Sequence, residues 1–136
     1  MATGKLTAQS FGVAADDWHI LQTARPNVLL IGSESAVAGF LELLLPFLKA
    51  PLVHSHDGRF AVPPSATGTL ILRDVSRLDS ASQQHLIEWL SMVHRRTQVI
   101  STSSCPLYPF VERGELAAPL YYSLNIVMIA VHDPVS

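Results

Sequence analysis

The chain is poor in charge and cannot cross-link itself. It has one cysteine, Cys105, in 136 residues, which excludes an intrachain disulfide and fits a reducing, cytoplasmic setting. Charged residues make up 15% of the chain, with nine Lys and Arg against eleven Asp and Glu. Neither sign dominates, so there is no electrostatic footprint for nucleic acid. The basic cluster His94-Arg95-Arg96 is too short to argue DNA contact, and it reads as a helix end favoured by the C-terminal dipole. The N-terminus has no charged-then-apolar pattern, so a secretory leader is not expected. The longest strongly apolar run, Phe40 to Leu48, contains Glu42 and Pro46 and is too short to cross a bilayer. Repeats, low-complexity tracts and linkers are absent too. These absences leave one domain of ordinary size, with neither membrane nor direct nucleic-acid contact expected.

What remains is apolar. Residues of the hydrophobic type make up 49% of the chain. Residues 1–14 are small and polar to neutral, and are expected to be poorly ordered; residues 15–136 are read as a single α/β domain. Asp16 to Ala24 reads as a short helix with acids in its first turn, stopped by Pro26. Continuous apolar runs at Val28–Ile31, Leu70–Leu72, Val99–Ser101 and Ile126–Ile129 predict central strands buried on both faces. Pro51 to His54 is a shorter strand. Helices are expected over Ala36–Leu48, from Asp79 onward, over Tyr108–Gly114 and over Leu116–Tyr122. Ser80 and Gln83 have capping-box spacing, and Leu86, Ile87, Leu90 and Val93 give that helix one apolar face. Such alternation predicts a mainly parallel sheet covered by helices.

Three words along the chain carry more than fold. Gly68-Thr69-Leu70-Ile71-Leu72-Arg73-Asp74 is an apolar run ending in a charged pair, the form of a Walker-B strand. Gln98 to Leu107 follows, and then Leu120-Tyr121-Tyr122-Ser123-Leu124-Asn125-Ile126-Val127. Together they resemble GTLFLDE, RVIAATNRDL and FREDLYYRLNV, the corresponding words of the AAA+ domain of NtrC-like, sigma-54-dependent bacterial transcriptional activators. The resemblance extends over most of residues 15–131 and is specific over 67–127. It implies a P-loop NTPase core and a place in bacterial transcriptional control.

The same resemblance shows what has been replaced. Gly32-Ser33-Glu34-Ser35-Ala36-Val37-Ala38-Gly39 lies between a strand and a helix, where the family word resembles GESGTGKE. Gly32 aligns with the first glycine. Ser35 and Val37 stand for the other two, and Ala38 stands for the lysine. Glycines let backbone N–H groups curl round phosphate, and the lysine neutralises its charge. Gly32, Ser33, Glu34, Ser35 and Ala38 therefore mark a degenerate phosphate loop. Arg73 aligns with the metal-binding acid, and a guanidinium cannot bind a cation. Asp74 aligns with the catalytic glutamate and Ser104 with the sensor asparagine. Ala117 and Ser123 align with arginines that reach a neighbouring subunit's nucleotide, a contact worth several powers of ten in rate. Residues 39–68 are too short for the family's sigma-contacting insertion, and the helical lid after the last strand is missing.

The expectation is a catalytically inactive domain with no cofactor, which binds another protein. Its partner would be an intact AAA+ activator or a second copy of itself. A nucleotide sensor without hydrolysis is the rival reading. Three other features stay open. His54, His56 and Asp57 could place two imidazoles on one strand face, as metal ligands or as exposed loop residues. Cys105 lacks the arginine of a phosphatase loop and reads as a buried or semi-buried thiol. The helix over Phe40–Leu48 is apolar almost all round, from core burial or from a subunit interface.

Overall fold

The computed structural model describes residues 5–55, 58–92 and 96–134. Five strands form one sheet: β1 (Val28–Ile31), β2 (Leu52–Ser55), β3 (Thr69–Leu72), β4 (Gln98–Ser103) and β5 (Val127–Ala130). Their order is β2-β3-β4-β1-β5, and every pairing is parallel. Leu29 lies opposite both Ser101 and Met128, and Leu70 opposite both Val53 and Val99. Every residue of β3 and β4 is buried. Coverage on both faces removes the apolar-in, polar-out alternation: β3 is apolar after Thr69, and β4 buries Gln98, Ser101, Thr102 and Ser103 alongside Val99 and Ile100.

Successive side chains on a strand point to opposite faces, so one sheet builds two cores. Val28, Leu30, Ile71 and Ile100 face α1 (Ala15–Thr23) and α2 (Glu34–Leu44), packing with Phe40 and Leu44. Leu29, Leu70, Leu72 and Val99 face the other way. There they meet Leu86 of α3 (Ser80–Leu90) and Leu120 and Leu124 of α5 (Ala118–Leu124). A short helix, α4 (Tyr108–Glu112), precedes α5.

Four expectations need correction. First, β5 is an edge strand and not a central one. Ile129 and Val131 point into the core, while Ile126 and Met128 are 64% and 55% exposed. The run looks continuous in sequence because both its faces are apolar, although only one is covered. Second, residues 8–13 are packed. Ala8–Phe11 form a 3-10 turn ended by Gly12 at φ 79°, a left-handed conformation that glycine adopts without strain. That turn drives Phe11 and Val13 inward, each only 2% exposed.

Third, α2 stops at Leu44, and Leu45–Phe47 is a 3-10 turn containing Pro46, whose ring cannot continue a helix. Much of the apolar surface of Phe40–Leu48 is covered by the chain's own N-terminal part. The Phe11 and Trp18 rings lie 6.0 and 5.7 Å from Phe40, both edge-on, and Trp18 also meets Phe47 at 5.5 Å. Fourth, Asp79 and not Ser80 caps α3, accepting the Ser82 N–H at 2.7 Å. Gln83 turns away from the cap. Its amide N–H groups donate to the carbonyls of Leu78 and Glu115, and its oxygen accepts from the Ala117 N–H.

Candidate functional site

The carboxyl ends of β1, β3 and β4 open into a cleft of about 420 Å³. In a parallel sheet the loops that leave these ends converge, so ligand sites collect there. Gly32 enters from β1, with its N–H bonded to the Ser103 carbonyl at 3.0 Å. Glu34 and Val37 come from the first turn of α2, Arg73 and Asp74 from the end of β3, and Thr102 and Ser104 from the end of β4. Arg77 and Gly58 complete the wall. The burial of β3 and β4 holds these residues in place: each strand end is fixed by the ladder behind it.

The two charged residues after β3 have different surroundings. Asp74 sits at φ 57°, a left-handed position that aspartate tolerates better than most residues. Its N–H donates to the Thr102 hydroxyl oxygen at 2.9 Å. One carboxylate oxygen accepts the Ser76 hydroxyl at 2.9 Å, and the other faces Arg77 Nε at 3.3 Å. Asp74 is thus engaged by neighbours on its own turn. Arg73 is half-buried in the same wall and adds a positive charge there.

At the amino end of α2 an acid is already seated. Ser33 caps the helix, its oxygen accepting the Ala36 N–H at 3.1 Å. The Ser33 and Ser35 hydroxyls then donate to the two oxygens of one carboxylate, Asp133, at 2.9 and 2.8 Å. The chain leaving β5 lies against the turn. A Cβ added to Gly32 would fall 2.2 Å from the Val131 carbonyl oxygen, so the close approach requires glycine.

Of the five residues marked as a phosphate loop, Gly32 and Glu34 line the cleft. Ser33 and Ser35 reach Asp133 instead, and Ala38 lies one turn into α2, outside the cleft wall. Ser104 lines the cleft as its alignment implies, whereas Ala117 and Ser123 belong to α5 and its cap, away from the wall. Sequence reasoning missed Thr102, Arg77 and Asp133. Strand register would have found Thr102, since it shares a ladder with Leu30. No local signal marks Asp133, which meets serines 98 and 100 residues away. Cys105 is half-buried, its N–H and carbonyl oxygen both bonded to the Ser103 hydroxyl. His56, Asp57, His94 and Arg95 lie outside the described residues. Among the described residues no three of His, Cys, Asp and Glu are grouped to hold a metal, and no helix is long and apolar enough to cross a membrane.

The family model of the sigma-54 interaction domain matches residues 50–133, more than half of the chain. The chain belongs to the sigma-54 interaction domain family. No curated protein matches it by sequence. Among solved structures it resembles NtrX from Brucella abortus in complex with ADP, with a TM-score of 0.71 and 14% identity. That alignment covers 97% of this chain and 37% of NtrX. It also resembles the P-loop NTPase domain of an E. coli sigma-54 activator, at a TM-score of 0.60 and 21% identity, covering 91% of this chain and all of that one. A RuvB variant from Thermotoga maritima gives 0.57 at 13% identity, covering 84% of this chain and 41% of its own. Identities this low speak for the fold alone. The sigma-54 interaction domain described here is thus an AAA+-like P-loop core, and it spans little more than a third of the NtrX chain.

Proposed function

We propose that this domain neither hydrolyses ATP nor uses a nucleotide, and that it acts by binding another protein in bacterial transcriptional control. The observation that carries the reading is the inverted charge at the end of β3. Arg73 stands where the family word has a metal-binding acid, and the Asp74 carboxylate is engaged by Ser76 and Arg77. Hydrolysis needs a cation bridging the phosphates and a group that orients water. Ala38 for the loop lysine and Ala117 and Ser123 for the trans-acting arginines point the same way. The expected result is no phosphate release above a buffer blank from purified protein with ATP and Mg²⁺. Measurable steady-state turnover would end the reading.

A nucleotide sensor without hydrolysis is the second reading. The open cleft favours it, as does the ADP in the NtrX relative. Glu34 in the wall and Asp133 on the serine hydroxyls oppose it, because both place negative charge where phosphate would arrive. Calorimetric titration with ADP separates the two: micromolar affinity selects the sensor, and no heat selects the protein-binding domain.

The partner would be an intact AAA+ activator or a second copy of this chain. Support comes from apolar side chains left in water on the edge strand and on α5. Tyr122 of α5 and Ile126 and Met128 beside and within β5 are all more than half exposed. Apolar side chains exposed on an edge strand offer a place for association.

A further inference from the structure

We infer that Asp133 is a carboxylate clasp, which binds the strap leaving β5 to the turn that opens α2, so that the two segments order and loosen together. This inference goes beyond the proposed function and does not depend on it. The clasp is two-pronged: Oδ2 accepts from Ser33 and Oδ1 from Ser35. Hydrogen bonds to an ionised acceptor are roughly twice as strong as neutral ones, and a pair fixes orientation as well as distance. The carboxylate also lies at the amino end of an eleven-residue helix, where negative charge is favoured.

The backbone brings it there. The Val131 N–H donates to the Ile31 carbonyl at 2.7 Å, and the His132 N–H donates to the Phe11 carbonyl at 2.8 Å. Gly32 leaves room for the Val131 carbonyl to pass. Pro134 restricts the residue before it to extended backbone, which limits the positions Asp133 can take. The strap at 131–133 is therefore held at three successive residues by three segments: the end of β1, the N-terminal turn and the α2 turn. Only the last of these holds is made by side chains alone. Removing it should free the end of the strap while leaving the fold intact.

Amide hydrogen exchange on the full chain tests this, with Asp133→Ala, Asp133→Asn, Ser35→Ala and the Asp133→Ala/Ser35→Ala double variant. Ser35 is chosen over Ser33 because it does not cap the helix. Asp133→Ala should speed exchange at both His132 and Ala36 by about fivefold to tenfold, the loss of a charge-assisted contact on an exposed surface. Ser35→Ala should do part of this at both places, and the double variant should go no further than Asp133→Ala. Asp133→Asn, which keeps the shape and loses the charge, should fall between wild type and alanine. A folded Asp133→Ala protein with wild-type exchange at Ala36 would overturn the clasp. So would multiplying effects in the double variant, or wild-type behaviour of Asp133→Asn.

Discussion

Asp79 shows how much one side chain contributes at this scale. It caps α3 by accepting the Ser82 N–H at 2.7 Å, with the Ser82 side chain close by. The backbone bond first and the Ser82 side chain second hold its carboxyl below the ordinary 3.8, with smaller help from the charges of Arg59 and His85. A carboxyl whose folded value is depressed stabilises the fold when ionised. That stability is present above 3.8 and is lost as pH falls through the lowered folded-state value. Asp79→Ala should therefore lower the urea midpoint at about pH 7, and the gap to wild type should close as pH drops below the carboxylate range. A gap that stays constant into strong acid would show that the charge plays no part in the cap. At the same scale, Arg73 and Ala38 stand out in the sequence because each differs in type from the residue of the family word it aligns with. Asp133 could not, because its partners are distant in the chain.

At the scale of elements, what was legible was whatever burial on two faces imposes. β1 is an unbroken apolar run and β3 is apolar after Thr69, whereas β4 buries Gln98, Ser101, Thr102 and Ser103 beside Val99 and Ile100. β5 obeyed the same pattern while lying at an edge, because composition reports apolarity and not coverage. The N-terminal turn escaped notice for the opposite reason. Only Ala8, Phe11 and Val13 of that segment are buried, too few to make a period. Gln83 was read as a helix-start signal by its spacing, yet it serves as a staple. It joins the front of α3 to the segment that leads into α5, through two donated bonds and one accepted bond. Gln83→Ala would leave two carbonyls and one N–H without this partner, the Leu78 carbonyl in a buried bond and the other two groups in part-buried ones. The expected cost is about 2–3 kcal/mol, the range for leaving buried polar groups unpaired. Chemical denaturation would read it as a lower midpoint with an unchanged slope. A loss under about 0.5 kcal/mol, the scatter of ordinary surface changes, would show that water replaces the side chain at no cost.

At the scale of the whole molecule, the placement of apolar surface decides between a monomer and an assembly. The helix over Phe40–Leu48, which offered an interface in sequence, is largely spent on the chain's own N-terminal turn and α1. Exposed apolar side chains occur on several segments, Phe47, Val62 and Met92 among them, and Met128 and Ile126 place two of them on the edge strand and beside it. No charge interrupts Ile126 to Val131, and β5 is bordered by another strand on one side only. Natural edge strands are usually guarded by lysine, proline or a bulge, so an unguarded apolar edge is a place for pairing. Burying a few hundred Å² of such surface at about 25 cal/mol per Å² yields several kcal/mol, a favourable contribution set against the cost of docking. The expected product is a two-fold dimer, since a self-complementary face closes on itself. Met128→Lys and Ile126→Lys test this without disturbing the core, because both side chains already point to solvent. Each variant should keep its unfolding free energy within about 0.5 kcal/mol of wild type and sediment as a monomer at concentrations where wild type does not. A wild-type chain that stays monomeric into the hundred-micromolar range would remove the self-association reading. Capture of an AAA+ activator by wild type but not by Met128→Lys would then assign the same edge to that partner.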